Sequence, residues 1–354
     1  METDPIKAIS GAIESAENAD QVGMLTIKEA NQALEDAARR PNPDELFHSL
    51  WYEGEVGCLF ADSNLGKSIY AVQIAEYVAA DRPVLYLDCE LSEKQFQLRY
   101  TDKDTGALHE FPKNFYRAEI NPAAITAKDY EARILKSIEQ AMLSKGCKTG
   151  IVDNIGYLCS NTDKGVDAGQ FMMNLLELKR QYGWSLLIIA HTPKRSLSSP
   201  ITQNDLAGSK RLFNYFDSVM AIGQSAKDDR LRYVKQLKIR SGEQEFGGNN
   251  VLVYEISHDE GYVHFNFVEF GAEAEHLRDR TDEAREVERN NIAELKNQGK
   301  SVRQIAAILG ISKSKVDRII KELPAVPSPE GAGQEGQEGQ KGQPSLFENQ
   351  EEEA

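Results

Sequence analysis

Phe60-Ala61-Asp62-Ser63-Asn64-Leu65-Gly66-Lys67-Ser68 lies between a short apolar run, Val56-Gly57-Cys58-Leu59-Phe60, and a stretch from Ile69 to Ala80 whose apolar residues recur at helical spacing. Strand, tight loop and helix form the context of a phosphate-binding loop, because backbone N–H groups of the loop and the helix N-terminus together hold an anion. Ala61, Asp62, Ser63, Asn64, Leu65, Gly66, Lys67, Ser68 and Ile69 are therefore the candidate ATP cradle. Lys67 would reach the β and γ phosphates, and Ser68 would ligate Mg²⁺. The usual pattern is G-x-x-x-x-G-K-[ST]. Here Ala61 stands at the first glycine, and Asn64 stands where many such loops carry another. Asparagine is the non-glycine residue most tolerant of positive φ, so Asn64 can make the turn, while Ala61 needs only to end a strand.

If the loop binds a nucleotide, neighbouring strand ends must supply its chemistry. The run Gly150-Ile151-Val152 closes on Asp153-Asn154, an apolar strand capped by a carboxylate, where Asp153 would hold Mg²⁺. Leu87-Asp88-Cys89-Glu90 ends another, and Glu90 is the candidate base for the attacking water, with Asp88 as runner-up. Ser92 is placed to cap the following helix. A fourth run ends Ile189-Ala190-His191-Thr192, where His191 could sense the γ phosphate. Asp205-Leu206-Ala207-Gly208-Ser209-Lys210 follows. Then Lys238 and Arg240 alternate along an apparent edge strand, so both can point the same way, as insertion into a neighbour's nucleotide site requires.

That ordered series resembles RecA-like ATPases, particularly the RepA-type hexameric helicase branch related to DnaB and KaiC, over roughly residues 46 to 268. The resemblance implies that Lys67 and Ser68 bind phosphate and Mg²⁺, that Glu90 activates water, and that Lys238 and Arg240 act in trans. It also implies a homo-oligomer, expected as a hexamer.

The 354 residues suggest about two or three structural units. No apolar run approaches a membrane span, and Met1-Glu2-Thr3-Asp4 lacks the order of a signal peptide, so a cytoplasmic protein without membrane contact is expected. Cys58, Cys89, Cys147 and Cys159 show no metal-ligand spacing and read as free thiols. A net charge of -15 argues against nonspecific coating of nucleic acid by the whole molecule.

Residues 1–45 read as a helical arm, with a capping box at Thr26-Ile27-Lys28-Glu29 ahead of a helix from Ala30 to Arg39. Residues 46–270 form the ATPase domain, an α/β unit with a mostly parallel sheet and an antiparallel edge. Its candidate strands are Val56–Phe60, Val84–Leu87, Gly150–Val152, Leu186–Ala190 and Val219–Ile222; its helices are Ile69–Ala80, Asp129–Leu143 and Ala168–Tyr182. Residues 271–290 read as a charged helical connector, and 324–354, rich in Pro, Gly, Gln and Glu, as a disordered acidic tail.

Residues 291–323 carry an independent signal. Ser301-Val302-Arg303-Gln304 is a capping box, Gly310 supplies a turn and Ser312 caps a second helix from Lys313 to Leu323, an arrangement that resembles a helix-turn-helix. Seven basic residues against two acidic ones give +5 over residues 296–322, a local reversal in an acidic chain. Arg303, Lys313, Ser314, Lys315 and Arg318 are the candidate DNA contacts. The expectation is an ATPase acting on DNA, a replicative or mobile-element helicase or its loader, contacting DNA also through loops 160–167 and 194–209. The alternative is a DNA-binding regulator or adaptor that uses ATP as an assembly switch.

Overall fold

A computed structural model describes residues 20–121, 130–158, 166–192, 195–206, 210–258 and 261–322. The expected acidic tail, most of loop 160–167, and the segments 193–194 and 207–209 of the following loop lie outside them. The chain divides into two compact units between residues 283 and 284.

The first unit is built on a nine-stranded sheet. Its six parallel strands are β5 (Val56–Ala61), β6 (Val84–Asp88), β7 (Phe115–Glu119), β8 (Thr149–Asp153), β9 (Ser185–His191) and β10 (Ser218–Gln224). β11 (Leu231–Lys238), β12 (Val251–Ser257) and β13 (His264–Gly271) continue it antiparallel, giving the order β13-β12-β11-β10-β5-β9-β8-β6-β7. β5, β6 and β8 are buried along their whole lengths, which is why they read as continuous apolar runs. β7 escapes a reading based on such runs: it is an edge strand, half-buried, with Arg117 at its centre.

Helices cover both faces, and a short helix, α6 (Lys210–Tyr215), precedes β10. α2 (Lys67–Ala79) buries Tyr70, Ala71, Ile74, Ala75 and Val78 in one core layer, with Leu59 and Ile189 of the sheet. α4 (Tyr130–Lys145) and α5 (Val166–Tyr182) bury Ile138, Met142, Phe171 and Leu175 in the other, with Cys58 and Ile188. Adjacent residues of one strand thus serve opposite layers, as the period of two demands. Cys58, Cys89 and Cys147 are free thiols.

The amino-terminal arm corrects an expectation. Residues 20–27 form a hairpin, β1 (Asp20–Val22) with β2 (Leu25–Ile27), turned at Gly23 with φ 61°. Thr26 lies in that hairpin, where its hydroxyl accepts from Gln21 Nε2 at 3.0 Å, so it cannot cap the helix that follows. α1 (Ala30–Ala38) starts from Glu29 without a side-chain cap and buries none of its residues. β3 (Glu45–Phe47) and β4 (Trp51–Tyr52) then lead into the core.

In the second unit, α7 (Arg280–Asn297) from residue 284 onward, α8 (Val302–Leu309) and α9 (Lys313–Glu322) surround Ile292, Ile305, Ala306, Val316 and Ile319. The connector expected over 271–290 is not a separate element: after β13 and a short turn at Glu273–His276, α7 runs without interruption through residue 290. The capping box of Ser301 and Gln304 forms, and Gly310 ends α8 with φ 66°. No helix among the described residues is long and apolar enough to cross a membrane.

Candidate nucleotide site

The loop from Ala61 to Ser68 joins the carboxyl end of β5 to the amino end of α2. Asn64 takes φ 63°, and Gly66 takes φ 90° as the residue preceding the helix. A Cβ on Gly66 would lie 2.8 Å from Cε2 of Phe265, so chirality and packing both require glycine there. Lys67 Nζ donates to the carbonyls of Ala61, at 3.0 Å, and Asp62, at 2.9 Å. Burial lowers its pKa, opposed by the charges of Asp153 and Glu90.

Those carboxylates come from strands close in space but distant in sequence. Asp153, buried at the end of β8, accepts from Tyr86 Oη at 2.6 Å and is also hydrogen-bonded to Ser68. Burial nevertheless pushes its pKa up to about 6. One hydroxyl and one carboxylate are a poor cage by themselves, and no cluster of three or more His, Cys, Asp or Glu able to hold a metal occurs among the described residues. The pair suits Mg²⁺, which keeps waters and takes phosphate oxygens for the rest of its shell.

At the end of β6 the two candidate bases have different roles. Asp88 is saturated: Oδ1 accepts from the backbone N–H of Glu90 at 3.1 Å and of Leu91 at 2.9 Å, while Oδ2 accepts from Arg117 Nε at 3.0 Å and Nη2 at 2.8 Å. It holds the turn that presents Glu90. Arg117 also donates to the Leu91 carbonyl at 2.6 Å and lies over the Phe96 ring. Ser92 caps α3 (Glu93–Arg99) as expected, in a capping box with Gln95. Glu90 is exposed at the strand end; its Oε1 accepts from Asn154 Nδ2 and lies 3.5 Å from His191 Nε2. His191 is the main cause of its lowered pKa.

The end of β9 is tied to the loop itself, with the Thr192 N–H donating to the Ala61 carbonyl at 3.1 Å. Thr192 Oγ1 is buried and has no hydrogen-bond partner among the described residues. Further on, Ile201 is clamped: its N–H donates to Glu273 Oε1 at 2.7 Å, and its carbonyl accepts from Lys235, which pairs with Glu273 at 2.5 Å.

Lys238 and Arg240 do not join this constellation. β11 runs antiparallel to β10 and places Lys238 beside Val219, which pairs with Cys58 near the beginning of β5. Three residues of strand, about 10 Å, separate that level from Ala61. The strand stops at Lys238, so Arg240 lies beyond it rather than on a shared strand face. Lys238 Nζ donates to the Phe213 carbonyl at 3.2 Å, and Arg240 Nη1 to Asp217 Oδ1 at 2.9 Å.

Of the candidate DNA contacts, Arg303, Lys313, Ser314 and Arg318 are exposed. Lys315 is instead turned toward α7, pairing with Glu288 at 2.7 Å. The residues that sequence reading did not single out are Tyr86, Arg117 and Asn154; none belongs to a spacing pattern, and each acts through a strand distant in sequence.

Two family models match the chain: an AAA domain over residues 25–196 and a helix-turn-helix domain over residues 286–322. No curated protein matches it. The first match contains the nucleotide loop and the ends of β6, β8 and β9; the second contains α8 and α9. Over these residues the chain is similar to an AAA-type P-loop ATPase domain, a likeness that implies nucleotide binding and typically Mg²⁺, and to a helix-turn-helix, which points to DNA.

Proposed function

We propose that this protein is a homo-oligomeric RecA-like ATPase of the RepA-type helicase branch, hydrolysing ATP with Mg²⁺ while acting on DNA as a helicase or helicase loader. The observation that carries the reading is the convergence of Lys67, Ser68, Glu90, Asp153 and His191 on adjacent strand ends around one loop. In this reading Lys67 neutralises phosphate charge, and Ser68 with Asp153 hold Mg²⁺, which when bound offsets charge on the transferred phosphoryl group. Glu90 is oriented by the Asp88–Arg117 pair and is deprotonated at neutral pH, so it can accept a proton from the attacking water. His191 senses the phosphate. Lys238 and Arg240, set near the opposite ends of the parallel strands from the chain's own loop, complete a neighbour's site. Arg303, Lys313, Ser314 and Arg318 meet DNA phosphates and base edges.

A second reading, a DNA-bound regulator or adaptor that uses ATP to assemble, draws on the helix-turn-helix, since that motif reads duplex rather than single-stranded DNA. Strand displacement from a forked duplex separates the two. Wild-type protein should unwind it with ATP and Mg²⁺, and Lys67→Ala should not; ATP hydrolysis without displacement at any protein concentration rejects the helicase and favours the regulator.

A further inference from the structure

Three strand ends meet at a single side-chain amide. Asn154 directly follows Asp153 at the end of β8, which lies between β6 and β9 in the sheet, and is only 1% exposed. Its Oδ1 accepts from the backbone N–H of Gly156 at 2.8 Å, which fixes the orientation of the amide. The nitrogen therefore faces the site. It carries two protons: one is directed at Glu90 Oε1, and the other reaches His191 Nε2, 2.9 Å away, in the imidazole tautomer that carries its proton on Nδ1.

Capping the turn at Gly156 needs only the oxygen. An aspartate would serve that cap equally well, yet would set an oxygen against the Glu90 carboxylate. The nitrogen is what links Glu90 to His191. Beyond His191, the chain is bonded to the nucleotide loop through Thr192 and to Glu273 through Ile201.

We infer that Asn154 is a positioning residue that ties Glu90 to His191, so that activation of water by Glu90 depends on the placement of His191 at the end of β9. The inference rests on the ATPase reading above and adds to it a coupling residue between base and sensor.

A double-mutant cycle on the full chain, Asn154→Asp with His191→Ala, tests it. The readouts are steady-state ATP turnover and, separately, affinity for a fluorescent ATP analogue with Mg²⁺. Asn154→Asp should keep that affinity within about threefold and lose about 10- to 100-fold in kcat, the range typical of removing a supporting hydrogen bond. The double variant should be no slower than the slower single variant, because both changes break one linkage. Losses that multiply, or wild-type turnover in Asn154→Asp, overturn the inference. If Asn154→Asp does not bind the analogue, Asn154→Ser enters the same cycle, where non-additivity supports the inference and additivity overturns it. Wild-type turnover no faster than that of Lys67→Ala would instead overturn the ATPase reading and this inference with it; wild-type turnover above that level with an additive cycle overturns this inference alone.

Discussion

At the carboxyl ends of β5, β6, β8 and β9, acidic groups outnumber cations: Glu90 and Asp153 share Lys67, whose ammonium is already held by two loop carbonyls. Near the opposite ends of the parallel strands, Lys179, Lys238 and Arg240 gather around the single carboxylate of Asp217, with 56% of the Arg240 side chain exposed. The first set is bonded into the core of the sheet, and its buried carboxylate has a raised pKa. The second is half-exposed and rests on weak surface tethers. Complementary charges carried on separate ends of a sheet cannot meet within one chain, which is the physical basis of the in-trans role proposed for Lys238 and Arg240.

The largest effect that could break this comparison concerns Arg240. Arg240→Ala should retain nucleotide affinity and lose about 10³-fold in turnover, as expected for a cation that acts on transition-state charge. Mixing Arg240→Ala with Lys67→Ala protein should restore part of the lost turnover, since one partner keeps an intact loop and the other an intact arginine. Steady-state ATPase rates of the mixture decide this, and full turnover by Arg240→Ala alone would end the in-trans proposal.

Next in size is the pair that holds the Glu90 turn. Arg117→Ala leaves the buried Asp88 carboxylate with only backbone partners, and should cost about 3 kcal/mol in urea unfolding. Turnover should fall with it, because the turn that aims Glu90 loosens. Unchanged stability would mean that the two backbone N–H groups suffice.

The smallest effect has the opposite sign. Asp153 has an ordinary value of 3.8 and is raised to about 6 in the fold by burial, so ionisation at neutral pH costs the ligand-free protein stability. Below about pH 4 the group is protonated in both folded and unfolded chains and carries no penalty; as pH rises from about 4 to 6 the penalty develops fully. Asp153→Asn should therefore stabilise the ligand-free protein by about 2–3 kcal/mol at pH 7, the gain should vanish near pH 4, and turnover should be lost. Thermal melts across that pH range measure it.

Much of the ATPase core was legible because burial on both faces leaves a strong trace: β5, β6, β8, β9 and β10 read as apolar runs within one or two residues of their observed ends. The helix-turn-helix was legible for a different reason. Its punctuation, Ser301 with Gln304 and then Gly310, is local chemistry that tertiary contacts do not override. Thr26 shows the limit of that logic, since the same capping pattern was captured by a hairpin whose pairing partner, Gln21, lies five residues earlier.

By itself the sequence determined the loop, the order of its partner strand ends and the local caps, because each depends on residues adjacent in the chain or on the period of an element. Tertiary structure alone decided which of two carboxylates, Asp88 or Glu90, stays available, that Arg117 secures the turn between them, that Lys315 faces Glu288, and that Asn154 bridges Glu90 and His191. Hydrogen bonds between strand ends depend on which strands become neighbours. That adjacency is set by packing a whole sheet between helices, and no short stretch of chain encodes it.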